Sequence, residues 1–74
     1  MMTADEFKQW CDKYGLSKDQ AAIVLGISRA NAFKYANGSQ PVSVLVSNQC
    51  ELFDLLSKTK SLTVIQKRLA IVSQ

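Results

Sequence analysis

The chain contains no histidine, one proline, three glycines and two cysteines. Without histidine, both the commonest general base and the commonest zinc ligand are missing. A zinc site would have to combine Cys11 and Cys50 with carboxylates, and these thiols are far apart, with no short ligand spacing. A Cys–His pair is excluded, no glycine-rich phosphate loop is present, and Glu51 and Asp54 read as solvated carboxylates. No enzymatic activity, cofactor, metal or small-molecule ligand is therefore expected. The apolar runs are only a few residues long, too short for a transmembrane helix, and residues 1–6 lack the charged start and apolar stretch of a signal peptide. A cytoplasmic protein without membrane association is expected. In such a compartment Cys11 and Cys50 read as buried small hydrophobes.

What is present is an ordinary globular composition, 47% hydrophobic over 74 residues. That length predicts one domain, 1–74, whose small core would gain from burying more apolar surface in a dimer. The net charge of +3 is unevenly distributed: −1 over residues 1–16, +2 over 17–40, −2 over 41–57 and +4 over 58–74.

Local signals divide the chain into helices. Thr3 and Glu6 form a capping box, and Phe7, Trp10, Cys11 and Tyr14 then recur at helical spacing until Gly15. This aromatic face predicts core, with Trp10 and Tyr14 packed over the next two helices. Ser17 and Gln20 form a second box, so a helix starts near Lys18, and Gly26 closes it in a left-handed conformation. Ser28 caps a further helix over 29–36, ended by Asn37-Gly38. Two helices of about two turns, joined by about three residues, must cross steeply, and the methyl side chain of Ala22 permits close approach.

After Pro41, Ser43 caps a longer helix to about Leu56, with Val46, Cys50, Phe53 and either Leu56 or Leu45 facing inward. Val44, Leu45, Val46, Leu52, Phe53, Leu55 and Leu56 wrap more of this helix than one stripe requires, which predicts two contacting partners. Residues 57–61 read as a polar linker. Thr63 and Gln66 offer one more capping box, and Leu62, Ile65, Leu69 and Val72 share a helical face, with Ile71 off it. Val64-Ile65 and Ala70-Ile71-Val72 favour a strand, but Gln66-Lys67-Arg68 interrupts the alternation, so a fifth helix is expected.

Ala22, Gly26 four residues later, Ile27, Ser28-Arg29, Tyr35 and Asn37-Gly38 together resemble the helix-turn-helix of the lambdoid repressor and Cro family, also called the XRE family. The matching run covers about a third of the chain and, with its flanking helices, extends to about residue 56. Ala21 and Ala32 depart from the pattern, standing where the family usually carries larger aliphatic residues; Phe33 or Tyr35 is available to fill that space. The resemblance implies a five-helix, all-α lambda-repressor-like domain whose helices 2 and 3 form the DNA-binding unit. It further implies a sequence-specific transcriptional regulator, such as a Cro-like repressor or autoregulator of a phage, prophage or plasmid operon, including those that control anti-CRISPR genes.

By register with the family, Arg29, Ala30, Phe33 and Lys34 meet base edges in the major groove of double-stranded DNA, with Asn31 beside them reaching a base or a phosphate. Arg29 can give two donors to guanine and Lys34 a point charge, while Ala30 and Phe33 can pack on thymine methyls. The blander readings are a phosphate clamp for Arg29 and an inward turn for Phe33. Phosphate contacts are expected from Ser17, Lys18, Ser28, Asn37, Ser39 and Gln40, although capping alone explains the two serines. One domain makes few base contacts, so a homodimer on a palindromic operator is expected, with its surface within 44–72. The C-terminal cations suit a dimer with a DNA-facing side, or serve only as a solubilising surface. The alternative is an antitoxin or protein-interaction module whose apolar tail covers a partner and whose DNA binding is autoregulatory.

Overall fold

The first helix starts where the sequence places its cap. Thr3 Oγ1 accepts from the Glu6 N–H at 3.1 Å, and the Glu6 carboxylate accepts from the Thr3 N–H at 2.9 Å. That backbone bond holds the Glu6 carboxyl below its usual range. The computed structural model describes residues 2–73, apart from the side chains of Val72 and Ser73. Its helices are α1 (Ala4–Lys13), α2 (Lys18–Leu25), α3 (Arg29–Asn37), α4 (Val44–Leu55) and α5 (Lys58–Ser73). No strand occurs among the described residues, so the class is all-α and the β alternative for the tail is removed. Nor is any helix among them long and apolar enough to cross a membrane.

Ser17, Ser28 and Ser43 cap α2, α3 and α4 by accepting the backbone N–H three residues on, and Gln20 completes the box at Ser17. Gly26 ends α2 at φ +71°, a conformation that an L side chain enters only at a cost of about 1–2 kcal/mol.

The α1 face packs as a core, but divides its partners differently from the expectation. Phe7 reaches α3, meeting Tyr35 edge-on with ring centroids 5.8 Å apart. Trp10 and Tyr14 pack instead on Phe53 of α4, at 5.7 and 6.5 Å. The reason is length: Phe7 is one turn nearer the helix start, on the side where α3 crosses, whereas the later aromatics lie beside the C-terminal end of α4. Tyr14 Oη fixes this end by donating to Asp54 Oδ1 at 2.8 Å, and Lys13 pairs with the same oxygen at 3.1 Å. Burial and the bond to Asp54 push the Tyr14 hydroxyl up, and the Asp54 bond raises Lys13.

The start of α5 and the inward face of α4 differ from the expectation. Residues 57–61 are not wholly a linker: α5 begins at Lys58, with Ser57 Oγ accepting the Lys60 N–H at 3.3 Å. Two lysines in its first turn oppose the helix dipole and hide this start in the sequence. Packing supplies the compensation, because Ser61 is buried and its hydroxyl donates to the Phe53 carbonyl. Thr63 is consequently inside the helix, donating to the Thr59 carbonyl rather than capping. On α4 the buried side is Val46, Cys50 and Phe53, as expected, whereas Leu45 and Leu56 face outward with Val44, Leu52 and Leu55. At 100° per residue these five fall on one arc and the three buried residues on another, so a single-sided core leaves all five outside. On α5, Ile65 is buried, Leu62 and Leu69 are half-buried, and Ile71 is exposed off that stripe; the Val72 side chain lies outside the described residues.

The last four carbonyls of α2 show how α4 and α5 hold it. Ile27 N–H bonds the Ala22 carbonyl at 3.0 Å and Gly26 N–H the Ile23 carbonyl at 3.3 Å, a closing turn made by the chain itself. The Leu25 carbonyl accepts from Gln49 Nε2 of α4 at 3.1 Å, and the Val24 carbonyl from Arg68 Nη1 of α5. Arg68 also lies over the Phe53 ring, 5.2 Å from its centroid. A guanidinium here both satisfies an orphan acceptor and meets the negative end of the α2 dipole. Arg68→Met keeps the apolar contact and loses the charged donor, so it is expected to cost about 1.5–3 kcal/mol, read as a lower urea midpoint with unchanged slope.

Cys11 and Cys50 are free and fully buried, as expected. Burial pushes the Cys11 thiol from 9.0 up to about 11 and Cys50 up to about 12. Above about pH 9 the unfolded chain therefore ionises thiols that the folded chain keeps protonated. Stability falls with rising pH by about 1.4 kcal/mol per unit for each thiol, up to the folded value. Urea titrations of Cys50→Ala between about pH 9 and about pH 11 should show a shallower pH dependence than the parent, the difference isolating this thiol from Tyr14 and Lys13.

Candidate functional site

The three residues Gly26-Ile27-Ser28 connect α2 to α3, and the two helices pack directly on one another. Small residues make this approach close: Ala21 and Ala32 are fully buried and Ala22 nearly so. The larger aliphatics missing at the first two positions are not replaced by Phe33. Tyr35 enters the core beside Phe7, whereas Phe33 remains 45% exposed. The inward alternative for Phe33 is thereby corrected: with Ala32 and Tyr35 on the buried side, the i+1 position from Ala32 is directed away from it.

One side of α3 thus supplies core through Ala32, Tyr35 and Ala36, while Arg29, Ala30, Phe33 and Lys34 are exposed. Asn31 is half-buried, its backbone N–H donating to Ser28 Oγ at 3.1 Å. The spacing i, i+1, i+4, i+5 keeps the four exposed residues on adjacent turns of one face. They form a short row with two cations and two apolar groups.

Two of them are in contact. The Arg29 guanidinium lies 5.7 Å from the Phe33 ring centroid, and its Nε is 2.6 Å from Asp19 Oδ1 on α2. Asp19 is the residue that sequence reasoning missed. It sits in the first turn of α2, where an acidic group is ordinary helix-dipole chemistry, and nothing local links it to a residue ten positions later. Its link to Arg29 exists because the helices cross.

The positions expected to touch phosphate have mostly local roles. Ser17 and Ser28 oxygens are engaged as caps, and Lys18 is half-buried at the start of α2. Asn37 Oδ1 accepts from the Ser39 N–H at 2.9 Å and from Ser39 Oγ at 2.6 Å, and the Gln40 N–H reaches the Lys34 carbonyl at 3.4 Å. This turn, with Gly38 left-handed at φ +79°, is an ordered shoulder directly after α3. Lys34 is the exposed cation nearest to it in sequence.

Among the described residues no group of three or more His, Cys, Asp or Glu side chains is placed to hold a metal ion. A cavity of about 140 Å³ lies between α4 and α5, lined by Gln49, Leu52, Phe53, Leu56, Val64 and Arg68. It is apolar apart from Gln49 and Arg68, which are already committed to the α2 carbonyls. No family model, curated protein or solved structure matches the chain.

Proposed function

We propose that α2 and α3 form a helix-turn-helix and that the protein is a sequence-specific DNA-binding transcriptional regulator, a Cro-like repressor or autoregulator of a phage, prophage or plasmid operon. The observation that carries this reading is the two-sided α3. Its Ala32, Tyr35 and Ala36 are locked into the core, and its Arg29, Ala30, Phe33 and Lys34 stand exposed on adjacent turns. A helix so anchored can lie in a major groove without rearrangement, with Arg29 aimed at guanine and Lys34 adding a second donor. The serine-capped starts of α2 and α3 and the turn at 37–40 are the phosphate-facing parts in this geometry.

The dimeric form of the proposal is supported by the outer face of α4. Val44, Leu45, Leu52, Leu55 and Leu56, with Ile71 of α5, are all exposed, Leu45 by 77%. A water-exposed row of this kind is costly for a monomer and suits a two-fold partner. The same face supports a second reading, an antitoxin or interaction module in which a different protein covers it. Molar mass in solution separates the two: a stable dimer favours the first, a monomer at high concentration the second.

DNA binding itself is tested by selecting from a pool of randomised duplexes and then measuring binding of the enriched and scrambled duplexes against salt. The reading requires enrichment of a half-site motif and an affinity that falls as salt rises. Recovery of an unchanged pool would refute it.

A further inference from the structure

We infer that Asp19 is a positioning residue for base reading: its carboxylate, together with the Phe33 ring, holds Arg29 in the orientation that presents the guanidinium edge to guanine. The inference rests on the DNA-binding reading above and adds a residue to it. Asp19 Oδ1 is 2.6 Å from Arg29 Nε, and Phe33 lies against the guanidinium from one turn further along α3. Asp19 meets Arg29 at Nε, leaving Nη1 and Nη2 as the pair of donors that matches guanine O6 and N7.

Both side chains of the ion pair are well exposed, at 72% for Arg29 and 52% for Asp19, so solvent screens the pair and its contribution to folding is slight. Its value is orientation. A free arginine must give up rotamer freedom when it meets a base, whereas one restrained from two sides has given it up already. The arrangement also has an electrostatic cost, because an exposed carboxylate beside the groove repels phosphates. Asp19 therefore weakens non-specific binding and, where Arg29 meets its guanine, offsets that repulsion by orientation, which sharpens preference for the right sequence. A residue serving only the α2 dipole or the fold would not produce these opposite effects.

The test uses Asp19→Asn, which removes the charge at nearly constant shape, on the duplex enriched by the wild-type protein and on its scrambled counterpart. The expected result is tighter binding to the scrambled duplex and about a tenfold smaller ratio of specific to non-specific affinity, with the loss confined to substitutions of guanine. In an Arg29→Ala background the same change should leave the ratio unaltered, because nothing remains to be positioned. An unchanged or increased ratio for Asp19→Asn overturns the inference, and so does an equal fall in the Arg29→Ala background. Failure of the wild-type protein to enrich any sequence refutes the DNA-binding reading instead, and this inference falls with it.

Discussion

Replacing Arg29 and Lys34 together by alanine is expected to weaken binding to the enriched duplex by about 2–6 kcal/mol, roughly 1–3 kcal/mol for each lost base contact. Both side chains are exposed, and neither reaches the core, so thermal unfolding should scarcely change. The Arg29–Asp19 ion pair is a surface pair and contributes at most about 1 kcal/mol to the fold. The single variants should differ in character. Arg29→Ala should abolish discrimination at one guanine, because its paired donors have no substitute, whereas Lys34→Ala should lose affinity with a softer change in preference. Competition titrations against single-base variants of the duplex distinguish the two. If both alanines leave the affinities and the preference unchanged, α3 is not the reading helix. Lys18→Ala provides the comparison, expected to weaken all sequences alike and to flatten the salt dependence.

The second large effect concerns the scaffold. Phe7 is fully buried and packs edge-on against Tyr35, so it ties α1 directly to the buried side of α3. Phe7→Ala removes most of an aromatic side chain from a small core and is expected to cost about 3–5 kcal/mol. A domain of this length has a total stability of about 4–11 kcal/mol, so the variant should be extensively unfolded on warming. Phe7→Leu, which retains most of the volume, should lose much less. The chain has one tryptophan, Trp10, which is buried between Tyr14 and Phe53, and its fluorescence during urea titration reports the transition. DNA binding should fail in Phe7→Ala at the temperature where Trp10 becomes exposed, and not before, because Phe7 acts through the placement of α3.

The helical elements were legible because their signals are short-ranged. A capping box needs four residues and a left-handed glycine needs one, so Thr3–Glu6, Ser17–Gln20, Ser28 and Gly26 could be read without tertiary context. The row Arg29, Ala30, Phe33 and Lys34 on α3 was legible instead from the register of the helix-turn-helix that the chain resembles, which left Phe33 open between groove and core. Illegible were the contacts whose partners are distant. The start of α5 was obscured by lysines that local chemistry disfavours at that position, and tertiary packing compensates, with Ser61 meeting the Phe53 carbonyl and Ile65 buried. Arg68 looked like one of four similar cations in a basic tail. In the folded chain it serves the carbonyl of Val24, 44 positions earlier. No pattern in a single sequence distinguishes it from Lys67 beside it, because the difference lies in where α2 ends in space.

By itself, then, the sequence determined the first four helices, their caps, the buried side of α1, the Val46, Cys50 and Phe53 stripe of α4, and the absence of histidine chemistry, all of which follow from composition and from interactions within a few residues. Tertiary structure decided how those pieces meet. It sent Phe7 to α3 and Trp10 to α4, kept Phe33 outside the core, placed Arg68 and Gln49 on the end of α2, and brought Asp19 to Arg29. These outcomes depend on the crossing of helices, and a crossing is set by the volumes on both faces at once, which no local window of sequence contains.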